Sequence, residues 1–406
     1  DEKRMVFAAC NRDSGFGSCD IFMSEYSNGS WSNAKNMGPK INTPQWETQP
    51  CLSSDGQYLF FIRDSRKPGS NSNIWMSRWN GSSWSIAKQL PVPINGSGDE
   101  FSPFFHADGK TLYFSSNSHV GLGGLDLFKS TLTSSDVWSE PKNLGYPIND
   151  YRDNFGLVIS TNGDCGFLAG GTLSKGSYQF NNQKPQIYQF RVPDSLKPEK
   201  TDWMKIWAID KDDKTIIQNA TWSLSANGLG KESIGVGGVF ESSIPIGTKM
   251  ALDVVAKGYN LFSRNIFFDT SRGGAFQDTI LLTPIKEGNS FVLNNIMFEF
   301  DKDVLVEKSI LEISRLADWL NNNPGIKIEF RGHTDNKGLP SYNLELSKKR
   351  AKSVYDEVLS RGISDHRLSF GGFGDTSPIS TNESEAGRAI NRRTEILIKK
   401  FAKKSQ

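Results

Sequence analysis

Gly332-His333-Thr334-Asp335-Asn336-Lys337-Gly338, followed by Asn343, Leu346-Ser347 and Arg350-Ala351, decides how the last third of this chain folds. A short apolar run, Ile326 to Phe330, precedes it and reads as a strand. A helical pattern follows from Tyr342 to Leu359 and stops at Gly362. The stretch is thus a strand-to-helix turn carrying an acid, with an arginine fifteen residues later and about two turns into the helix. Asp335 and Arg350 can face one pocket, one to hold an ammonium and the other a carboxylate. The alternative is an internal ion pair that fixes the loop.

Outward from that turn, Phe291 to Phe300 reads as a strand and Val304 to Leu320 as a helix, with Ile310, Ile313, Leu316, Ala317 and Leu320 on one face. Asn321 to Gly325 is a polar stop containing Pro324, and strands Leu368 to Gly371 and Thr394 to Ile398 close the unit. This predicts a two-layer α/β sandwich over 285–406, long enough for its own core. The span holds 20 basic and 17 acidic residues, a net of +3, and the whole chain is only +2. Neither is the footprint of a nucleic-acid binder, and no nucleic-acid partner is expected.

The first 190 residues repeat with a period near 53. Ile41-Asn42-Thr43, Ile94-Asn95-Gly96 and Ile148-Asn149-Asp150 keep this step, as do Trp31-Ser32, Trp84-Ser85 and Trp138-Ser139. Asp55-Gly56, Asp108-Gly109 and Asn162-Gly163 are turn signals, and the first two lead into Tyr58-Leu59-Phe60-Phe61 and Leu112-Tyr113-Phe114. A second strand follows at Asp20-Ile21-Phe22, Asn73-Ile74-Trp75, Asp126-Leu127-Phe128 and Gln186-Ile187-Tyr188. One small antiparallel sheet per repeat, stacked on its neighbours, makes blades of a β-propeller over 1–195. The repeated Asp and Asn positions read first as turn and core residues, and only second as a sugar or metal site. Residues 193–202 form a linker, and strands Met204 to Ile209, Ala220 to Leu224, Gly238 to Ile244, Met250 to Ala256 and Ile266 to Phe268 build a β-sandwich over 203–284.

Cys10 and Cys19 flank the turn Asn-Arg-Asp-Ser-Gly-Phe-Gly-Ser, and adjacent strands bring them into disulfide range. Two unpaired buried thiols are the other reading. No cysteine pair has metal-ligand spacing, and no metal or cofactor is expected. No His-Glu-x-x-His run, Gly-x-Ser-x-Gly elbow or nucleophile with a base appears, so no catalytic residue is assigned. No stretch approaches the roughly 18 apolar residues of a membrane helix. No export signal or lipid-attachment cysteine opens the chain, and Asp1 starts inside a repeat. The expectation is a fragment whose membrane association came through a missing N-terminal lipid anchor or a partner.

Three resemblances sharpen these readings. The repeats are similar to the WD40-like PD40 propeller repeats of bacterial envelope proteins. Gly238-Val239-Phe240, Ile244-Pro245-Ile246-Gly247 and Val254-Val255-Ala256-Lys257-Gly258-Tyr259 resemble the carboxypeptidase regulatory-like domain, a non-catalytic spacer. Phe298-Glu299-Phe300-Asp301, Gly332 to Asp335, Asn343 to Ala351, Arg367, Gly371 to Gly374 and Gly387 to Glu395 resemble the OmpA C-terminal domain from about residue 292 to 399. That last resemblance implies non-covalent binding of peptidoglycan through the diaminopimelate of its stem peptide. It gives Asp335 the ammonium, Arg350 the carboxylate, Thr334 and Asn343 neutral contacts, and Asp301 and Arg392 the rim. The order of the three parts resembles PorE-type components of the type IX secretion system. It implies a periplasmic protein at the outer membrane and cell wall of a Gram-negative bacterium, with an envelope protein partner on the propeller. A general envelope-integrity lipoprotein of the OmpA family is the runner-up, and a peptidoglycan hydrolase comes third.

Overall fold

The Asp-Gly and Ile-Asn signposts of the repeats are the two ends of one hydrogen-bonding scheme. In the computed structural model, which describes residues 4–27, 29–80, 82–134, 136–170, 186–226, 232–269, 275–293, 296–299 and 301–401, the regular structure is mainly β-strand. It divides into two compact units: Asp1–Met204 with Glu241–Ile246 and Asp269–Phe276, and Lys205–Phe240 with Gly247–Phe268 and Gln277–Gln406.

In the first unit the strands within each repeat pair antiparallel, and a parallel bridge of Cys19 with Trp46 joins the first two repeats in one sheet. Trp46–Leu52, Tyr58–Asp64, Asn73–Arg78 and Lys88–Gln89 lie side by side in that order. Glu100–Phe105, Thr111–Ser116, Asp126–Ser134 and Lys142–Asn143 repeat the arrangement. Phe155–Ile159, Cys165–Gly170 and Gln186–Arg191 follow it again. At each Asp-Gly or Asn-Gly turn the glycine takes a positive φ (65°, 71° and 76°), the left-handed region where a side chain is strained. The preceding Asp55, Asp108 or Asn162 accepts the amide two residues on. At the other end, the side-chain amide of Asn42 accepts from Ile21 N and donates to Ile21 O. Asn95 clamps Ile74 and Asn149 clamps Leu127 in the same way. All three asparagines are buried, so the repeated polar residues complete the sheets.

The two-residue strand period sends alternate side chains to opposite faces. Leu59 and Phe61 join Ile21 and Ile41 in one core, while Phe60 and Ile62 join Phe105 and Phe114 in the next. Tyr113 and Leu127 pack with Leu157 and Ile159 in a third. One aromatic strand thus serves two cores, which is why these runs are apolar throughout. Cys10 is in register with Cys19 across Arg4–Cys10 and Cys19–Ser27, and the two sulfurs form a disulfide. Cys51 is free, and burial pushes its thiol up to about 11, which keeps it protonated and inert.

In the second unit Glu232–Val236, Thr221–Ala226, Thr248–Val255 and Phe262–Phe268 form a four-stranded antiparallel sheet in that order. Neither Glu232–Val236 nor the strand Phe276–Leu282 is among the five strands read from the sequence. The α/β part follows: β1 (Ser290–Leu293), α1 (Glu307–Asn322), β2 (Ile326–Gly332), α2 (Pro340–Ser360), β3 (Leu368–Gly372), α3 (Glu385–Asn391) and β4 (Thr394–Phe401). The sheet order is β1-β4-β2-β3, with β2 parallel to β3 and the other pairs antiparallel. The strand expected over Phe291 to Phe300 is shorter, ending at Leu293; Asn294, Asn295 and Phe300 lie outside the described residues. The first helix starts three residues later than its periodicity suggests, because Leu305 bridges back to Phe298.

The core of the α/β part joins Ile313, Leu316, Trp319 and Leu320 of α1 to Phe330, Val354 and Ile396. Leu261 and Ile285 belong to the same cluster. Beside them Arg315 of α1 pairs with Asp253, and the Trp319 indole donates to Tyr259 O at 2.8 Å. Asp253 and Arg315 are both nearly buried. The four-stranded sheet and α1 are therefore held by shared side-chain packing. Arg367 donates to Leu320 O, Asn323 O and Ile326 O and so caps the end of α1.

Candidate functional site

Close backbone approach sets the site. A Cβ on Gly332 would lie 2.0 Å from Ser347 O, and one on Gly372 would lie 2.6 Å from Leu344 O. Glycine at both positions lets α2 lie directly against the ends of β2 and β3. The loop after β2 is then pinned. His333 N donates to Arg393 O (3.0 Å), and Thr334 N to Gly374 O (2.9 Å). The His333 ring packs on Phe373 and its Nε2 lies 3.2 Å from Glu395 Oε2, which makes it the buried loop residue its setting suggests.

Asp335 is nearly buried, and both of its carboxylate oxygens are engaged. Oδ1 accepts from Lys337 N at 3.0 Å, and Oδ2 accepts from Arg392 Nη1 at 2.6 Å. The other branch of the Arg392 fork, Nη2, donates to Glu385 Oε1 at 2.7 Å. These two acids raise the Arg392 pKa, Glu385 contributing first. Glu385 in turn is lowered by Arg392 and then Arg388. The internal partner of Asp335 is thus Arg392 and not Arg350. The OmpA resemblance gives Arg392 a rim role, and in the structure α3, which ends at Asn391, delivers Arg392 from its C-cap to Asp335. The local cue for α3 is only the residue type of Ser384, a common N-cap, which accepts from Gly387 N.

Arg350 stands at a second cluster. Its Nε donates to Lys302 O at 3.0 Å, and the guanidinium lies 5.2 Å over the Phe298 ring. Burial lowers its pKa, opposed first by Asp301; repulsion from Arg392 acts with the burial. Asp301 has a positive φ of 54° and accepts from the Tyr342 hydroxyl at 2.8 Å, which pushes that phenol up. A left-handed non-glycine residue here holds its carboxylate near Arg350 at some cost in backbone strain.

Arg350 and Arg392 meet at a cavity of about 270 Å³, lined also by Ile296, Met297, Phe298, His333, Ala389, Arg393 and Thr394. Asp335 lies behind Arg392 and is not on that wall. Asn343 is buried and its Nδ2 donates to Asp335 O at 3.3 Å, so it braces the loop. The Thr334 hydroxyl is buried with no hydrogen-bond partner among the described residues. Among those residues no cluster of His, Cys, Asp and Glu could hold a metal ion. What the arrangement offers is two guanidinium groups at one cavity, an aromatic and aliphatic wall, and a carboxylate paired with one of those guanidiniums.

This fold and cavity define an OmpA-like domain, and residues 297–392 match the OmpA family. The chain is 36% identical over 104 residues to outer membrane porin F of Pseudomonas fluorescens, a match covering 26% of this chain and 32% of the relative. It is likewise 36% identical over 103 residues to the peptidoglycan-binding protein ArfA of Mycobacterium tuberculosis, covering 25% and 32%. The chain spans about a third of the length of these curated relatives. Among solved structures, the peptidoglycan-associated lipoprotein from Burkholderia pseudomallei is 28% identical, with a TM-score of 0.24, covering 25% of this chain and 87% of that one.

Proposed function

We propose that this protein is a non-catalytic anchor that grips peptidoglycan through its OmpA-like domain. The observation that carries this is the cavity shared by Arg350 and Arg392, with Asp335 behind it, inside the span that matches the OmpA family. The names of two similar proteins, peptidoglycan-binding protein ArfA and peptidoglycan-associated lipoprotein, point the same way. The ligand group is the free end of diaminopimelate. Its carboxylate goes to the fork of Arg350, and its ammonium goes to Asp335. Asp301, Thr334, Asn343 and Arg392 complete the site.

The rest of the chain presents that grip. The stacked sheets over 1–195 are blades of a PD40-type propeller that holds an envelope protein partner, and 203–284 is a regulatory-like spacer ahead of 285–406. The protein works in the periplasm, between outer membrane and wall, as a PorE-type part of a type IX secretion assembly. The test is co-sedimentation with purified sacculi. Asp335→Ala and Arg350→Ala should each remove the protein from the pellet while its circular dichroism stays that of the parent. Both variants still pelleting would show the pocket to be wrongly placed. Release of soluble muropeptides by the parent chain would replace the anchor with an enzyme.

A further inference from the structure

Resting on that reading, we propose that Arg392 and Glu385 form a latch that admits a ligand bearing an ammonium and a carboxylate together and rejects one bearing either alone. In the structure Arg392 already occupies the place an incoming ammonium needs, since its Nη1 donates to Asp335 Oδ2 at 2.6 Å. Asp335 is nearly buried and its other oxygen already accepts from Lys337 N, so in this latch the ammonium takes the position that Nη1 holds. Glu385 keeps the second branch of the fork through Nη2, so Arg392 swings on that tether and stays at the cavity.

The displaced branch needs a new anion, and the ligand carboxylate supplies it. Arg350 and Arg392 line the same cavity and repel each other, which a carboxylate between them relieves. A ligand with ammonium but no carboxylate breaks the Asp335–Arg392 pair and returns nothing to the freed branch. A carboxylate without an ammonium reaches Arg350 but leaves Arg392 committed to Asp335. Recognition of each end is therefore conditional on the other, and selectivity comes from the partner left unpaired by the wrong ligand. Arg392 touches ligand in this scheme; Glu385 is a positioning residue that acts through it. Arg388 also donates to Glu385, which fixes the anchor end of the tether.

The experiment is calorimetric titration of the full chain with three probes on one carbon frame: meso-diaminopimelate, cadaverine (ammonium groups only) and pimelate (carboxylates only). The parent should bind meso-diaminopimelate at least about tenfold more tightly than either of the others. Arg392→Ala removes the resident competitor, so cadaverine should gain about tenfold while meso-diaminopimelate weakens. Glu385→Ala frees the whole fork to close on Asp335, so both should weaken, by about threefold. In an Arg392→Ala background, Glu385→Ala should add nothing further. An Arg392→Ala chain that binds meso-diaminopimelate but leaves cadaverine unmoved or weaker overturns the latch alone. An additive effect of Glu385→Ala on Arg392→Ala overturns the tether. A parent chain indifferent to meso-diaminopimelate overturns the peptidoglycan reading, and the latch falls with it.

Discussion

Two ion pairs of nearly equal length separate the halves of this molecule. Arg63 and Glu47 meet at 2.7 Å inside the repeats, with 8% and 0% of their side chains exposed. Arg392 and Asp335 meet at 2.6 Å at the OmpA-like cavity, with 38% and 10% exposed. The first pair is closed: Glu47 also takes the Thr43 hydroxyl and amide, and Arg63 donates to Ile41 O and lies 4.1 Å over the Trp75 ring. The second is open, because the arginine half faces a cavity and divides its fork between two acids. Distance does not tell a structural pair from an exchangeable one. What each group has left when its partner departs does.

The comparison breaks most visibly at Glu47. Glu47→Ala leaves a buried guanidinium unpaired and should cost about 3–5 kcal/mol, read as a fall in the urea midpoint. If the loss is no greater than that of Asp335→Ala, the distinction is void. Asn95→Ala comes next. It strips Ile74 N and Leu90 O of this partner, while Ile74 O keeps its bond from Leu90 N, and each buried orphan costs about 1–3 kcal/mol, partly relieved by water. Thermal unfolding of that variant should therefore shift by several degrees. Asp335→Ala should change stability by only about 1 kcal/mol, because Arg392 keeps Glu385 and solvent, even though it should abolish pelleting with sacculi.

The smallest effect is a pH dependence at Glu395. Its pKa is lowered from 4.5 to about 2, first by the hydrogen bond with His333. A depressed folded value stabilises above the unfolded one, so this contribution is complete above about 4.5 and is lost as pH falls toward about 2. Comparing acid unfolding of the parent and Glu395→Gln should show a shallower slope for the variant in that window. Equal slopes would remove the role given to this carboxylate.

Legibility followed the strength of the local signal. The repeat was plain because Ile-Asn, Trp-Ser and Asp-Gly each perform one fixed hydrogen-bonding task, so the same residue returns wherever the task does. Helix α2 was plain because Gly332 and Gly362 bracket it for steric and conformational reasons. Helix α3 was hidden: seven residues with Gly387 inside show no periodicity, and burial of Gly387 and Asn391 is decided by tertiary contact. With α3 hidden, the pairing of Arg392 with Asp335 was hidden too, since 57 residues separate them. Glu232–Val236 gives a weak strand signal because Ile234 and Val236 are its only apolar residues, and Phe276–Leu282 bunches Ile280, Leu281 and Leu282 instead of alternating them with polar residues.

The shared packing around α1 has a mechanical meaning. Helix α1 is clasped on one side by the four-stranded sheet, through Arg315 on Asp253 and Trp319 on Tyr259 O, and on the other by the α/β core. Tension applied to whatever the cavity holds is then borne by a row of side-chain contacts loaded in shear, and not by the single connecting strand of chain. On the proposed anchoring role, the four-stranded sheet and the α/β part would answer a pull together.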